Sequence, residues 1–151
     1  MTFVTPLMIS LSAGVFEFGN LIHQKLLIEA GLRDAARYAA RCNSAFYTEA
    51  GLTIDCAGNA ENIAVYGNPA GTGPTRVAEW STADVTVNMT YLTVPVTTDA
   101  DGNQNYRSSG TSVYTVRVDT SFTYAGTSLL AYLGLSPITL AASHEERSVG
   151  W

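Results

Sequence analysis

Four residues alternate in the way the first oxygen ligands of a calcium loop do: Asp99, Asp101, Asn103 and Asn105. Such a loop also needs glycine at its sixth position and a bidentate glutamate at its twelfth. Here Gly102 is fourth and Gly110 stands twelfth, so calcium is the weaker reading and a solvated turn at Asp101-Gly102 the stronger. His144-Glu145-Glu146 is the other titratable cluster, and no nucleophile can be assigned to it. Neither G-x-S-x-G nor H-E-x-x-H occurs. Gly71-Thr72-Gly73-Pro74 lacks the spacing of a phosphate cradle. The chain is therefore expected to be no enzyme and to need no cofactor or metal. Asn88-Met89-Thr90 matches the glycosylation sequon, a pattern short enough to arise by chance.

Cys42 and Cys56 enclose a polar stretch with neither C-x-x-C spacing nor histidine companions, which argues against redox or zinc chemistry. A structural disulfide is the favoured reading, with two buried free thiols as the alternative. Closing such a loop stabilises by about 3 kcal/mol and implies an oxidising compartment. Glu17 is the remaining chemical candidate, because a carboxylate inside an apolar helix must be paired or protonated. Its bland alternative is a side chain that snorkels to headgroups or faces water.

The elements that carry these residues follow from how charge is distributed. Charged residues make up only 14% of the 151 and apolar ones 46%, with mean hydropathy +0.10, which excludes a disordered chain. A net charge of −5 and a single lysine argue against nucleic acid as a partner. Residues 1–16 carry no charge, and with Glu17 as the one interruption the apolar stretch reaches Ile22, long enough to match a bilayer core. No basic residue precedes Lys25, unlike a cleaved secretory signal. Three readings follow: a membrane anchor, the apolar half of a packing helix, or both at different times.

From Gln24 to Arg41 the pattern is amphipathic. Ile28, Leu32, Ala35 or Ala36, and Ala39 form one stripe, while Lys25, Glu29, Arg33, Arg37 and Arg41 form a row that reads as a solvated face. Glu29 and Arg33 are spaced as an i,i+4 ion pair. With no turn cluster between Leu7 and Arg41, one helix of about 35–40 residues is expected, with Pro6 in its first turn or kinking it. Its first half is apolar nearly all round and must enter lipid or a bundle of like helices. Ser10, Ser12, Ala13, Gly14 and Gly19 permit close approach there.

Farther on, Asp55 is placed to cap a helix over 56–65 with Gly67 past its end, and 67–75 is a Gly/Pro-rich connection. Then the period becomes two. Val85, Val87, Met89 and Tyr91 make one strand; Tyr114, Val116, Val118, Phe122 and Tyr124 make a second; residues 138–147 make a third. Leu129, Leu130, Tyr132, Leu133 and Leu135 form an apolar patch that either plugs the sheet or makes contacts. The expected fold is α+β: a helix over 1–41 (apolar over 1–22), a connection over 42–75, and a β-rich head over 76–151.

Pro6-Leu7, Glu17-Phe18-Gly19 and Ala35-Ala36-Arg37-Tyr38-Ala39-Ala40 occur in the order and spacing of the TadE-like pilin family, which this chain resembles. The ending around residues 137–147 also resembles that family's last strand. The resemblance implies a pilin-like subunit of a bacterial tight-adherence system, inserted in the inner membrane with a periplasmic head. It further implies clipping by a prepilin peptidase and polymerisation with itself, helped by other pilus assembly proteins, into or beneath a surface filament. The helix residues carrying that role would be Pro6, Leu7, Leu11, Ala13, Gly14, Val15, Phe16, Glu17, Phe18, Leu21 and Ile22. In the family a glutamate precedes the proline by six positions, which falls immediately before Met1, so the expectation is either a processed chain or a member that lacks this glutamate. The competing expectation is a membrane-anchored surface binding module that does not polymerise.

Overall fold

The computed structural model describes residues 4–106, 110–124 and 137–149, and of Pro6 the backbone only. Helix α1 runs unbroken over Val4–Arg41, 38 residues or about 57 Å. Pro6 sits in its first turn, where the missing N–H would have had no intrahelical acceptor. The expected stripe is the buried one: Ile28, Leu32, Ala35, Ala36 and Ala39 are all inaccessible to solvent. Glu29 pairs back with Lys25 at 3.8 Å, not forward with Arg33, and both partners are about half exposed, so the pair adds little. Among the described residues no helix is long and apolar enough to cross a membrane; residues 1–3, the start of the expected 1–22 stretch, lie outside them.

Cys42 and Cys56 are bonded, tying the end of α1 to the start of α3 (Cys56–Tyr66). The Asp55 carboxylate accepts from the Gly58 N–H at 2.9 Å, and Gly67 closes the helix in the left-handed region at φ 76°. Between them lies a helix the pattern did not announce, α2 (Ser44–Glu49), which buries none of its residues. Its sole sequence signal is Asn43, whose side chain accepts from the Phe46 N–H at 3.3 Å.

Three antiparallel strands, β1 (Val85–Pro95), β2 (Ser112–Tyr124) and β3 (Ile138–Arg147), follow in the order β1-β2-β3. Val87 opposes Val118, and Phe122 opposes Leu140. Between Asn88 and Leu92 the β1 register shifts, so three residues stand against Val116 alone. That irregularity corrects the expected alternation. Tyr91 and Tyr114 end up exposed, and the Tyr91 hydroxyl accepts from Arg117 Nη1 at 2.9 Å on the outer face.

The core lies between the second half of α1, α3 and the inner sheet face. Its largest fully buried side chain, Trp80, donates from Nε1 to Thr120 Oγ1 at 3.1 Å, and Thr120 donates onward to the Asp84 carbonyl at 2.6 Å. Helix α3 approaches α1 closely at Gly31, where a Cβ would press into the Ala64 carbonyl oxygen and lie 3.1 Å from the Trp80 ring. Gly31→Ala should therefore destabilise the head by about 1–3 kcal/mol despite alanine's better helix propensity, as read by urea unfolding. Replacing Cys42 and Cys56 together by serine should cost about 3 kcal/mol in the same measurement.

Candidate assembly surface

Past Leu21 toward its N-terminus, α1 leaves the head, and its side chains divide by face. Ala13 and Leu21 are half-buried on the side that meets the head, with Glu17 between them. Glu17 is only 5% exposed, whereas Phe16 beside it is 78% exposed. Its carboxylate Oε1 accepts from the Tyr124 hydroxyl at 3.2 Å, and that oxygen in turn accepts from Asn20 Nδ2 at 3.0 Å. Burial raises the Tyr124 pKa most; the hydrogen bond to the Glu17 carboxylate and its negative charge raise it further, while the bond from Asn20 opposes them. Of the two readings open for Glu17, solvated or paired, it is paired, and within its own chain.

The other faces of this half carry ten exposed large apolar side chains: Val4, Leu7, Met8, Ile9, Leu11, Val15, Phe16, Phe18, Ile22 and Leu26. Gly14 is exposed, with open space around it. Val4, Met8, Leu11, Val15, Phe18 and Ile22 step by four and three alternately, the 3.5-residue period that keeps one seam facing a partner helix. Met8, Leu11, Ser12, Val15 and Phe16 line a shallow hollow of about 300 Å³, wide enough to admit a neighbour's side chain. Val4, Met8, Ile9 and Leu26 belong to this surface although the motif did not single them out; their place in the same apolar run was the available signal. Nothing local could have named Tyr124.

The TadE-like family model matches residues 1–37. No curated protein and no solved structure matches the chain. The TadE-like segment holds Pro6-Leu7 and Glu17-Phe18-Gly19, and it stops within the basic row at Arg37. The TadE-like family points to a protein of the Tad pilus assembly system, associated with pili at the cell surface.

The remaining candidates fall elsewhere. A second concavity, of about 710 Å³, lies between α1 and the disulfide loop, walled by Tyr38, Phe46, Tyr47 and Ile54 with Arg37 and Arg41 at its edge. His144 and Arg37 both approach Glu146, at 3.4 and 3.8 Å, and Glu145 meets Arg117 at 3.4 Å. That cluster joins sheet to helix. Leu129, Leu130, Tyr132, Leu133 and Leu135 lie outside the described residues.

The alternating acids and amides build a hydrogen-bonded turn. Asp99 Oδ1 accepts from the N–H groups of Asp101 at 3.0 Å and Asn103 at 2.8 Å, while Asn105 Oδ1 accepts from Thr97 N–H at 2.9 Å. Among the described residues no group of three or more His, Cys, Asp or Glu is placed to hold a metal ion. The Asn103 N–H leads the bonds that hold the Asp99 pKa below the ordinary aspartate value. A lowered folded pKa stabilises the turn above the unfolded value, and that stabilisation is lost as pH falls through the folded one. Amide resonances of Asp101 and Asn103 should accordingly shift on acidification with a midpoint below ordinary aspartate, and stay still when calcium is added; NMR titration checks both.

Proposed function

We propose that this chain is a structural, pilin-like subunit of a tight-adherence, type IV-like surface filament, polymerising through α1 with copies of itself and supporting surface attachment. One observation carries the reading: ten large apolar side chains stand exposed on a single helix between Val4 and Leu26. Water is a poor solvent for such a surface, since each buried side chain of this size is worth about 1.5–3 kcal/mol. Their spacing suits neighbouring helices, and the small residues Ser10, Ser12 and Gly14 among them let backbones approach. Before assembly the same surface would rest in the apolar layer of the inner membrane, with the disulfide-bonded head in the periplasm and other pilus assembly proteins moving the subunit into the filament. The role is one of architecture, not catalysis.

The concavity beside the disulfide supports the competing reading, a membrane-anchored module that binds a surface ligand without polymerising. Shearing producing cells, imaging the released material by electron microscopy and identifying its main protein by mass spectrometry separates the two. Filaments built chiefly of this chain support the polymer; protein retained in the membrane fraction with no filaments sinks it. Leu11→Glu places a charge in the exposed seam and should abolish filaments while the head keeps its unfolding midpoint. An anchored module would lose only its membrane retention.

A further inference from the structure

Among the described residues, the hydrogen bonds that tie the exposed half of α1 to the head meet at Tyr124. Leu21 is the N-terminal residue of α1 that packs against the core cluster, and Asn20 and Glu17 lie within the next turn outward. There Tyr124, the last residue of β2, donates to Glu17 and accepts from Asn20. Phe18, next to Glu17 in the chain, is 64% exposed, so Glu17 turns inward where its neighbour turns out. A carboxylate removed from water without partners is strongly unfavourable, so this burial holds only while its hydrogen bonds are made. From Glu17 to Val4 the helix projects about 20 Å. A swing of about 10° at the neck would carry Val4 about 3.5 Å sideways over that length, enough to take a seam of 3.5-residue period out of its holes.

We propose that Glu17, Tyr124 and Asn20 form a latch that fixes the direction in which the apolar half of α1 leaves the head, and that assembly requires this direction. The assembly part rests on the filament reading above. Tyr124 is a positioning residue, since it acts through Glu17 and Asn20, both on α1, and is not part of the exposed seam. The latch also keeps the one acid of residues 1–22 satisfied by its own chain, so a neighbour need supply only apolar surface.

The test uses the full chain in detergent with nitroxide labels at Ile9 and Ser143, read by pulsed electron paramagnetic resonance, alongside filament yield from cells. Tyr124→Phe removes one hydroxyl and keeps the packed ring; Glu17→Gln keeps an acceptor oxygen. Wild type and E17Q should give one narrow distance. Y124F should broaden it, with the latched fraction falling about tenfold relative to the unlatched, as expected for losing a hydrogen bond to a charged group. Its head should keep the wild-type unfolding midpoint, and its filament yield should collapse. A Y124F distance as narrow as wild type overturns the latch. A broadened distance with normal filaments overturns the requirement for assembly. Failure of the wild type to form filaments removes the filament reading instead, and the distances still decide the latch.

Discussion

Among the described residues, the core cluster reaches along α1 only as far as Leu21, and the rest of the architecture follows from that limit. A small three-stranded sheet and one short helix offer enough inner surface for Ile28, Leu32, Ala35, Ala36 and Ala39, and not for another five turns of helix. The N-terminal half of α1 therefore keeps its apolar side chains outward, where only other molecules can cover them. The packed half and the exposed apolar half are two parts of one helix, divided at a buried carboxylate.

That division explains why small residues serve two purposes along α1. At Gly31 the missing side chain lets α3 and Trp80 close on the helix, a matter internal to the head. At Gly14, which is exposed, no described residue lies within 4 Å of a Cβ placed there, so its smallness is available to a neighbour.

Much of this was legible beforehand because the signals were local. The buried stripe of α1 repeats within one turn, Asp55 and Gly67 lie at the ends of their own helix, and β3 spans the expected residues from Ile138 to Arg147. What escaped was either too short or too distant to leave a pattern. Helix α2 is six residues long with no buried face, so periodicity had nothing to register. The register shift after Asn88 is a relation between two strands, and Tyr91, within it, faces outward. Glu17 stood out by its chemistry, but its partner Tyr124 lies 107 residues away. A single sequence marks which residue needs a partner more readily than which residue provides one.

The Cys42–Cys56 bond has a mechanical meaning once α1 is viewed as the part of the subunit that is held. A load applied to the head reaches α1 through the sheet and through the connection that leaves the helix after Arg41. Without the bond, the thirteen residues between the two cysteines could pay out as slack of about 45 Å before α3 was pulled taut. With the sulfurs joined, tension passes across the bond and that stretch of chain, including α2, carries none of it. The loop is thereby free to vary in shape without changing how far the head can be drawn from the helix.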